Sequence, residues 1–431
     1  MNTYVFDSST KKNIFISFGI GLVLFILGVL FFNNHEQTAT HAAEQVKTET
    51  KATTAAVAES EHGNVAPTVK MAVIANIYNV FYFMFYLALA ALFFLAATNI
   101  AWGGWQIQLQ KIPLAMSSTI GLSLICLLAM FLLFNHDIFH WTHEELYIVG
   151  SKTFDETLNT KHDFLNMTTF WVFYVIIAGT CLLLTYKWWN TLTQMDTNPS
   201  RKLFSTSRVI AATTIVIISF VINTFATWLW SMSIQPHWYS TMFTWNTMAG
   251  AAEAMLSIVL IYMYYLKDKG YLPKLNENHF HDIAKLMFAL AIFWCYTWFS
   301  QYMLIWYANL PEETEYFRLR RNVDNYGILF HGSFVLNFVL PFFLLMTRHS
   351  KRSKTISIIT AVFILIGQFG AFFLMNCPAL LPKGGFGLIS FGLLLMIGSI
   401  FVFLTFFFLA KFKDLASTTH PYVNESYHHH I

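Results

Sequence analysis

The chain has 431 residues, of which 56% are hydrophobic, 11% are charged and 44 are Phe, with a formal net charge of +3. Those proportions exclude a soluble globular domain and predict a membrane protein with little mass outside the bilayer. A balance so near neutral says nothing beyond how the charges are shared among the loops, and the expected surroundings are lipid, not nucleic acid.

Apolar runs of about 20 residues predict ten membrane spans. In chain order they are Asn13–Phe32, Met71–Thr98, Ile112–Phe134, Met167–Trp188, Ser207–Leu229, Trp238–Leu266, Ile283–Tyr307, Tyr326–Met346, Ile356–Met375 and Phe386–Leu409. The first has a basic start but ends in "FFNNHE" with no small-residue cleavage site, so residues 1–32 are expected to stay as an anchor helix. Residues 33–70 are rich in Ala, Thr and Glu without an apolar period, which predicts a flexible outer linker or at best a frayed helix. Residues 71–410 form the polytopic body, and 411–431 are a cytoplasmic tail.

Basic residues near span ends are retained in the cytoplasm. With the N-terminus inside, the inner segments hold 17 of the 26 Lys and Arg, and the outer segments hold 15 of the 23 acidic residues. Both ends are therefore expected in the cytoplasm, in a bacterial inner (cytoplasmic) membrane.

Nearly all of the 16 His lie in loops or at span ends, with His331 among the deepest, so facing His pairs for an intramembrane haem are lacking. The four Cys (Cys126, Cys181, Cys295, Cys377) have neither CxxCH nor ferredoxin-like spacing and read as packing residues. No Gly-rich phosphate loop occurs. The chain by itself is expected to bind no redox cofactor and no metal.

"TMAGAAEAMLSIVLIYM" in span 6 places Glu253 about 23 Å along the helix from Trp238, near mid-membrane. An ionised carboxylate there costs at least roughly 2.5 to 3.5 kcal/mol, so the residue needs a reason. One reading is a protonated Glu packed against a helix that Ala249, Gly250, Ala251, Ala252 and Ala254 allow to come close. The other, favoured because no other acid lies well inside a span, is a proton relay or ion-coupling site. Polar companions are Asn223, Thr224 and Thr227 in span 5, Asn246, Thr247 and Ser257 in span 6, and Thr297, Ser300 and Gln301 in span 7.

On the cytoplasmic side, "HFHDIAK" offers His279, His281, Asp282 and Lys285 as a proton inlet or as a charged helix start. Outside, "FNHDIFHWTHEE" puts His136, His140 and His143 on one side of a helix, if the segment stays helical. That spacing suits a metal or a quinol site, where a His accepts a hydroxyl proton, or a polar turn anchored by Trp141. The short outer loop with Glu312, Glu313, Arg318, Arg320 and Arg321 runs against the positive-inside trend and suggests a docked protein partner.

"SIQPHWYSTMF", "HDIAKLMFALAIFWCYTWFSQ", "FSQYMLIWYANLPEETEYFRLRR" and "FHGSFVLNFVLPFFLLMTRHSKR" together resemble the NrfD-like, polysulfide-reductase-type membrane subunits of bacterial alternative complex III, a quinol:electron-acceptor oxidoreductase. The similarity is strongest over Ser207 to Arg352. It implies an all-α integral membrane fold of two antiparallel four-helix bundles plus flanking helices. It also implies quinol or menaquinol oxidation, with haem c and iron-sulfur clusters carried by partners: a multihaem cytochrome c subunit, an iron-sulfur subunit, a second NrfD-like membrane subunit and a terminal oxidase. Of the two membrane subunits, the chain is more similar to the ActF-type, linked with proton conduction and assembly, than to the ActC-type. By the same resemblance the outer quinol chemistry falls on His136 or Asp163. Two readings from other classes stay open: a proton-coupled secondary transporter, for which Pro341 is the only Pro well placed to break a span, and a structural scaffold for cytochrome and iron-sulfur subunits.

Overall fold

The computed structural model describes residues 4–50, 68–323, 325–382 and 384–429. The described residues contain helices and no strand. Ten helices are long and apolar enough to cross a membrane: Ser8–Asn33, Val69–Ile100, Lys111–Ile138, Met167–Thr197, Arg201–Ile234, Thr241–Asp268, Glu277–Ala308, Gly327–Leu344, Lys354–Asn376 and Leu388–Leu409. These are spans 1 to 10, one for each expected run, and the chain is an all-α, multi-pass membrane protein.

Several ends differ by a few residues, and one differs by more. The first helix runs on from Ser8 to Thr50 instead of ending at Phe32, because the Ala, Glu, Gln and Lys after His35 are good helix formers with no Gly or Pro among them. Residues 51–67 of the expected linker lie outside the described residues. Thr68 then caps span 2 by accepting from the Met71 amide at 3.3 Å.

Spans 2 to 5 close into a ring in which each helix packs on the next and span 5 returns to span 2, and spans 6 to 9 repeat the arrangement. Successive spans run in opposite directions, so these are two antiparallel four-helix bundles. They meet where span 2 lies against spans 6 and 9, and span 5 against span 6. Spans 2 and 6 are accordingly the most buried, at 83% and 78% of their apolar windows. Span 10 packs on span 2, and span 1 lies almost wholly against span 10. There the backbones approach at Gly21, Gly28 and Gly392, where any Cβ would collide with the opposing main chain.

Three spans are irregular. Span 3 kinks at Phe134 (φ −136°, ψ 25°). Spans 5 and 8 each contain a π-helical turn, at Ile217–Ile222 and Val335–Val339. The second has a cause: Pro341 has no N–H to offer the carbonyl of Asn337 and its ring crowds that carbonyl, so the helix widens.

The face carrying both termini is laced with charge. Lys111 reaches Asp196 at 2.5 Å, Lys269 reaches Asp7 at 3.3 Å and Lys354 reaches Asp268 at 2.5 Å. The tail lies flat across this face. Gln108 donates to the Ser417 carbonyl, Thr419 donates to the Met195 carbonyl, and Asn276 and Asn278 both donate to the His429 carbonyl at 2.8 Å. It therefore straps the loops between spans 2 and 3 and between 6 and 7 to the end of span 4.

Candidate functional site

Span 6 sets the site. Its small residues, Ala249 to Ala252, bring span 9 so near that a Cβ on Gly250 would collide with the side-chain oxygen of Gln368. Glu253, one turn on, is fully buried, and Gln368 Nε2 donates to its Oε2 at 2.6 Å. Ser257 Oγ donates to the Glu253 carbonyl at 3.0 Å, which ties span 6 to itself. Among the described residues, Glu253 Oε1 and Gln368 Oε1 have no hydrogen-bond partner.

The orphaned atoms continue through the second bundle. Asn246 Oδ1, Trp294 Nε1, Gln301 Oε1, Ser333 Oγ and both polar atoms of Asn337 are buried without a protein partner among the described residues. The π turn in span 8 presses Asn337 against Gly367, beside Gln368. Asn246 Nδ2 donates to Thr297 Oγ1 at 3.0 Å and to the Trp294 carbonyl at 3.2 Å. Asn246, Trp294, Gln301 and Ser333 also line a cavity of about 40 Å³ between Glu253 and the face opposite the termini. That is room for roughly two or three waters. Buried polar groups rarely stay unpaired; the first bundle also has such atoms, among them Asn79 Nδ2, the Tyr82 hydroxyl and Asn223 Oδ1, so what sets this side apart is the cavity.

Arg320 closes the cavity from the helix Pro311–Arg321, and it is only 2% exposed. It donates to the carbonyls of Leu374 at 2.6 Å, Tyr316 at 2.8 Å and Met375 at 3.3 Å, which caps the C-terminal end of span 9. Its guanidinium lies 3.3 Å from the Tyr316 ring centre, and Tyr316 stacks on Trp238 at 3.7 Å. Of the five charged residues expected to meet a partner in this loop, Arg320 thus points inward. Arg318 pairs with Glu315 at 2.6 Å, Arg321 donates to Tyr302 at 2.9 Å, and Glu312 lies exposed with Glu313 in the first helical turn.

The cluster on the terminal face is brought together. Asp282, 5% exposed, receives Lys285 at 2.9 Å and His429 Nε2 at 2.7 Å. His281 is 3.8 Å away, beyond hydrogen-bond range. His279 closes a capping box with Asn276. His429, near the far end of the sequence, is the member that local spacing misses. No hydrogen-bonded connection joins Asp282 to Glu253 among the described residues; Ile283, Met287, Leu260 and Ile364 fill the core on that side.

His136 and Asp163 are not brought together. His136 Nδ1 lies 3.2 Å from Thr142 Oγ1, while Asp163 lines an open cleft of about 420 Å³ with Lys161, Phe164, Trp228, Pro236 and Tyr239. Burial of Lys161 holds its ammonium below the ordinary lysine range. The three outer His do not share a helix, because the chain turns extended at Phe139. Their rings still gather, His136 and His140 lying 5.1 and 5.9 Å from His143, but no group of side chains suited to a metal occurs among the described residues.

A second polar seam runs from the first bundle to the end of span 9, and of its members the sequence reading names only Thr227. Tyr86 hydroxyl meets Thr227 at 2.6 Å, Asn376 donates to Asn79 at 3.0 Å, and Ser231 donates to Asn376 at 2.6 Å. The visible signal was Tyr78, Tyr82 and Tyr86 at fourfold spacing along one face of span 2.

No protein-family model matches the chain, and no curated protein matches it.

Proposed function

We propose that the chain is a membrane subunit of a quinol-oxidising electron-transfer complex, of the alternative complex III type, whose second bundle carries protons through Glu253. The observation that supports this best is a single buried carboxyl at mid-span, held by one amide and continued by orphaned polar atoms and a small cavity toward one face. Such a carboxyl can take a proton from water and return it. In this reading Asp282 with His429 is the uptake point on the terminal face, and the Asp163 cleft is where a quinol ring would lie. Glu312 and Glu313 remain the surface charges for an extrinsic partner. The membrane is the bacterial inner membrane, both termini are cytoplasmic as the Lys and Arg distribution requires, and the partners are a second NrfD-like subunit, an iron-sulfur subunit, a multihaem cytochrome c and a terminal oxidase.

The test is Glu253→Gln. The amide is nearly isosteric and can still accept from Gln368, but it carries no exchangeable acid proton at neutral pH. Assembly and cofactor content of the complex should survive while proton movement coupled to quinol oxidation falls. Wild-type proton-to-electron stoichiometry in that variant would remove the relay.

The irregular span 8 favours a second reading, a proton-coupled secondary transporter, since its π turn and Pro341 place Asn337 near the Glu253–Gln368 pair. Pulling the chain from its native membrane separates the two. Co-purifying c-type haem and an iron-sulfur subunit support the first, and a chain that purifies alone and moves a solute supports the second.

A further inference from the structure

We propose that the groove between the end of span 7 and the helix Pro311–Arg321 binds one anionic glycerophospholipid, with its phosphate on Arg318 and Arg321. The groove encloses about 660 Å³, within the range of small-ligand sites. Its height is set by the chain. Span 7 ends at Ala308, Asn309 turns the backbone through a left-handed conformation (φ 50°), and the short helix begins at Pro311. The groove therefore lies where hydrocarbon gives way to headgroups.

Its two walls differ in chemistry. Ile305 and Trp306 supply its apolar lining; Ile305 is rooted in the core, and Trp306 is 65% exposed, as an interfacial anchor is. Leu304, in the same helical turn as Trp306, is 69% exposed, so the end of span 7 next to the groove presents apolar surface outward. The opposite wall presents Arg318 and Arg321. Arg321 donates one N–H to Tyr302 and pairs with no carboxylate among the described residues, while Arg318 is shared with Glu315. Guanidinium forks bind phosphate oxygens in pairs, and a basic pocket between spans is what an anionic headgroup recognises. Cationic above and apolar below is the pattern of a phospholipid seen end to side. A phosphatidylcholine offers its own cation next to the phosphate and gains less from two arginines. The exposed Leu304 and Trp306 in one turn of a membrane span favour an acyl chain over a water-soluble protein next to the arginines.

The experiment uses the full chain in neutral detergent, with native mass spectrometry after addition of phosphatidylglycerol, phosphatidylcholine or inorganic phosphate. We expect a one-to-one phosphatidylglycerol adduct that phosphatidylcholine does not match and millimolar phosphate does not displace. In Arg318→Gln/Arg321→Gln it should weaken by roughly tenfold or more, the worth of a charged hydrogen bond. Arg321→Lys keeps the charge but not the fork, so it should weaken binding several-fold, and it carries the test if the double variant does not fold. Equal binding of phosphatidylcholine, displacement by phosphate, or an adduct unchanged in either variant would overturn the proposal. So would an extrinsic protein lost from the double variant while the lipid stays, which would make the groove a protein dock.

Discussion

Replacing Gln368 by Leu tests the pairing on which the site depends. The side chains are similar in size, so packing between spans 6 and 9 is retained while the 2.6 Å bond from Nε2 to Glu253 is removed. Glu253 would then have no side-chain partner for either oxygen among the described residues. Stranding a buried polar group costs about 1–3 kcal/mol. With an unfolding entropy of about 2.1 cal/mol/K per residue, 431 residues give roughly 0.9 kcal/mol/K, so the midpoint should fall by about 1–3 °C. That shift is small but measurable in detergent by tryptophan fluorescence. The sharper measurement is a double-mutant cycle with Glu253→Leu, whose single variant strands Gln368 instead. If the two residues serve each other, the double variant should cost less than the sum of the singles by about 1 kcal/mol or more. Additive losses would mean that the contact contributes nothing, and the site would lose its central element. Liposomes with a trapped pH dye give the functional arm, where Gln368→Leu should slow proton movement and leave assembly intact.

Other expectations follow from packing, pH and topology. Gly250→Leu should prevent span 9 from closing on span 6, because even a Cβ meets Gln368 and Trp294; loss of a monodisperse peak in size-exclusion chromatography checks it. Burial pushes His420 down to about 4, below its ordinary 6.5, and its neutral Nδ1 accepts from the Tyr422 amide at 3.2 Å. The undocked tail binds the extra proton between those values, so the contribution of His420 to tail docking is fully present above pH 6.5 and falls, by about 3 kcal/mol, as pH drops toward 4. Hydrogen exchange of residues 412–429 should rise over that window, and His420→Gln should flatten the response. A reporter fused after Ile431 should be cytoplasmic, and an external signal would contradict the loop charge distribution.

What could be seen in the sequence depended on the range of the interaction. All ten spans were visible because length and hydropathy are local, and Glu253 was visible because one acid in an apolar run is conspicuous. Its partner was not. Gln368 is 115 positions away, and only its place between Gly367 and Gly370 in an otherwise apolar span marks it. The outer His pattern assumed a continuous helix, which the kink at Phe134 and the extended Phe139 interrupt. Arg320 looked like one charge among several in a loop, and its burial under Tyr316 and Trp238 depends on a ring 82 positions earlier in the chain. His429 meets Asp282 only because the tail crosses the whole terminal face, which no local pattern encodes.

The clasp between spans 1 and 10 bears on how the molecule is made. Gly21 meets Gly392 and Gly28 meets Leu388 and Ile389, all of which leave the ribosome about 360 residues or more later. At about 5–20 residues per second that is a wait of roughly 20–70 s. Through it the first helix has scarcely any protein to lean on, and its apolar window is the most hydropathic of the ten and the least buried. It is made to live in lipid alone. Its final neighbour arrives last, so a nascent chain that stops short of span 10 leaves the glycine face of its first helix open to lipid.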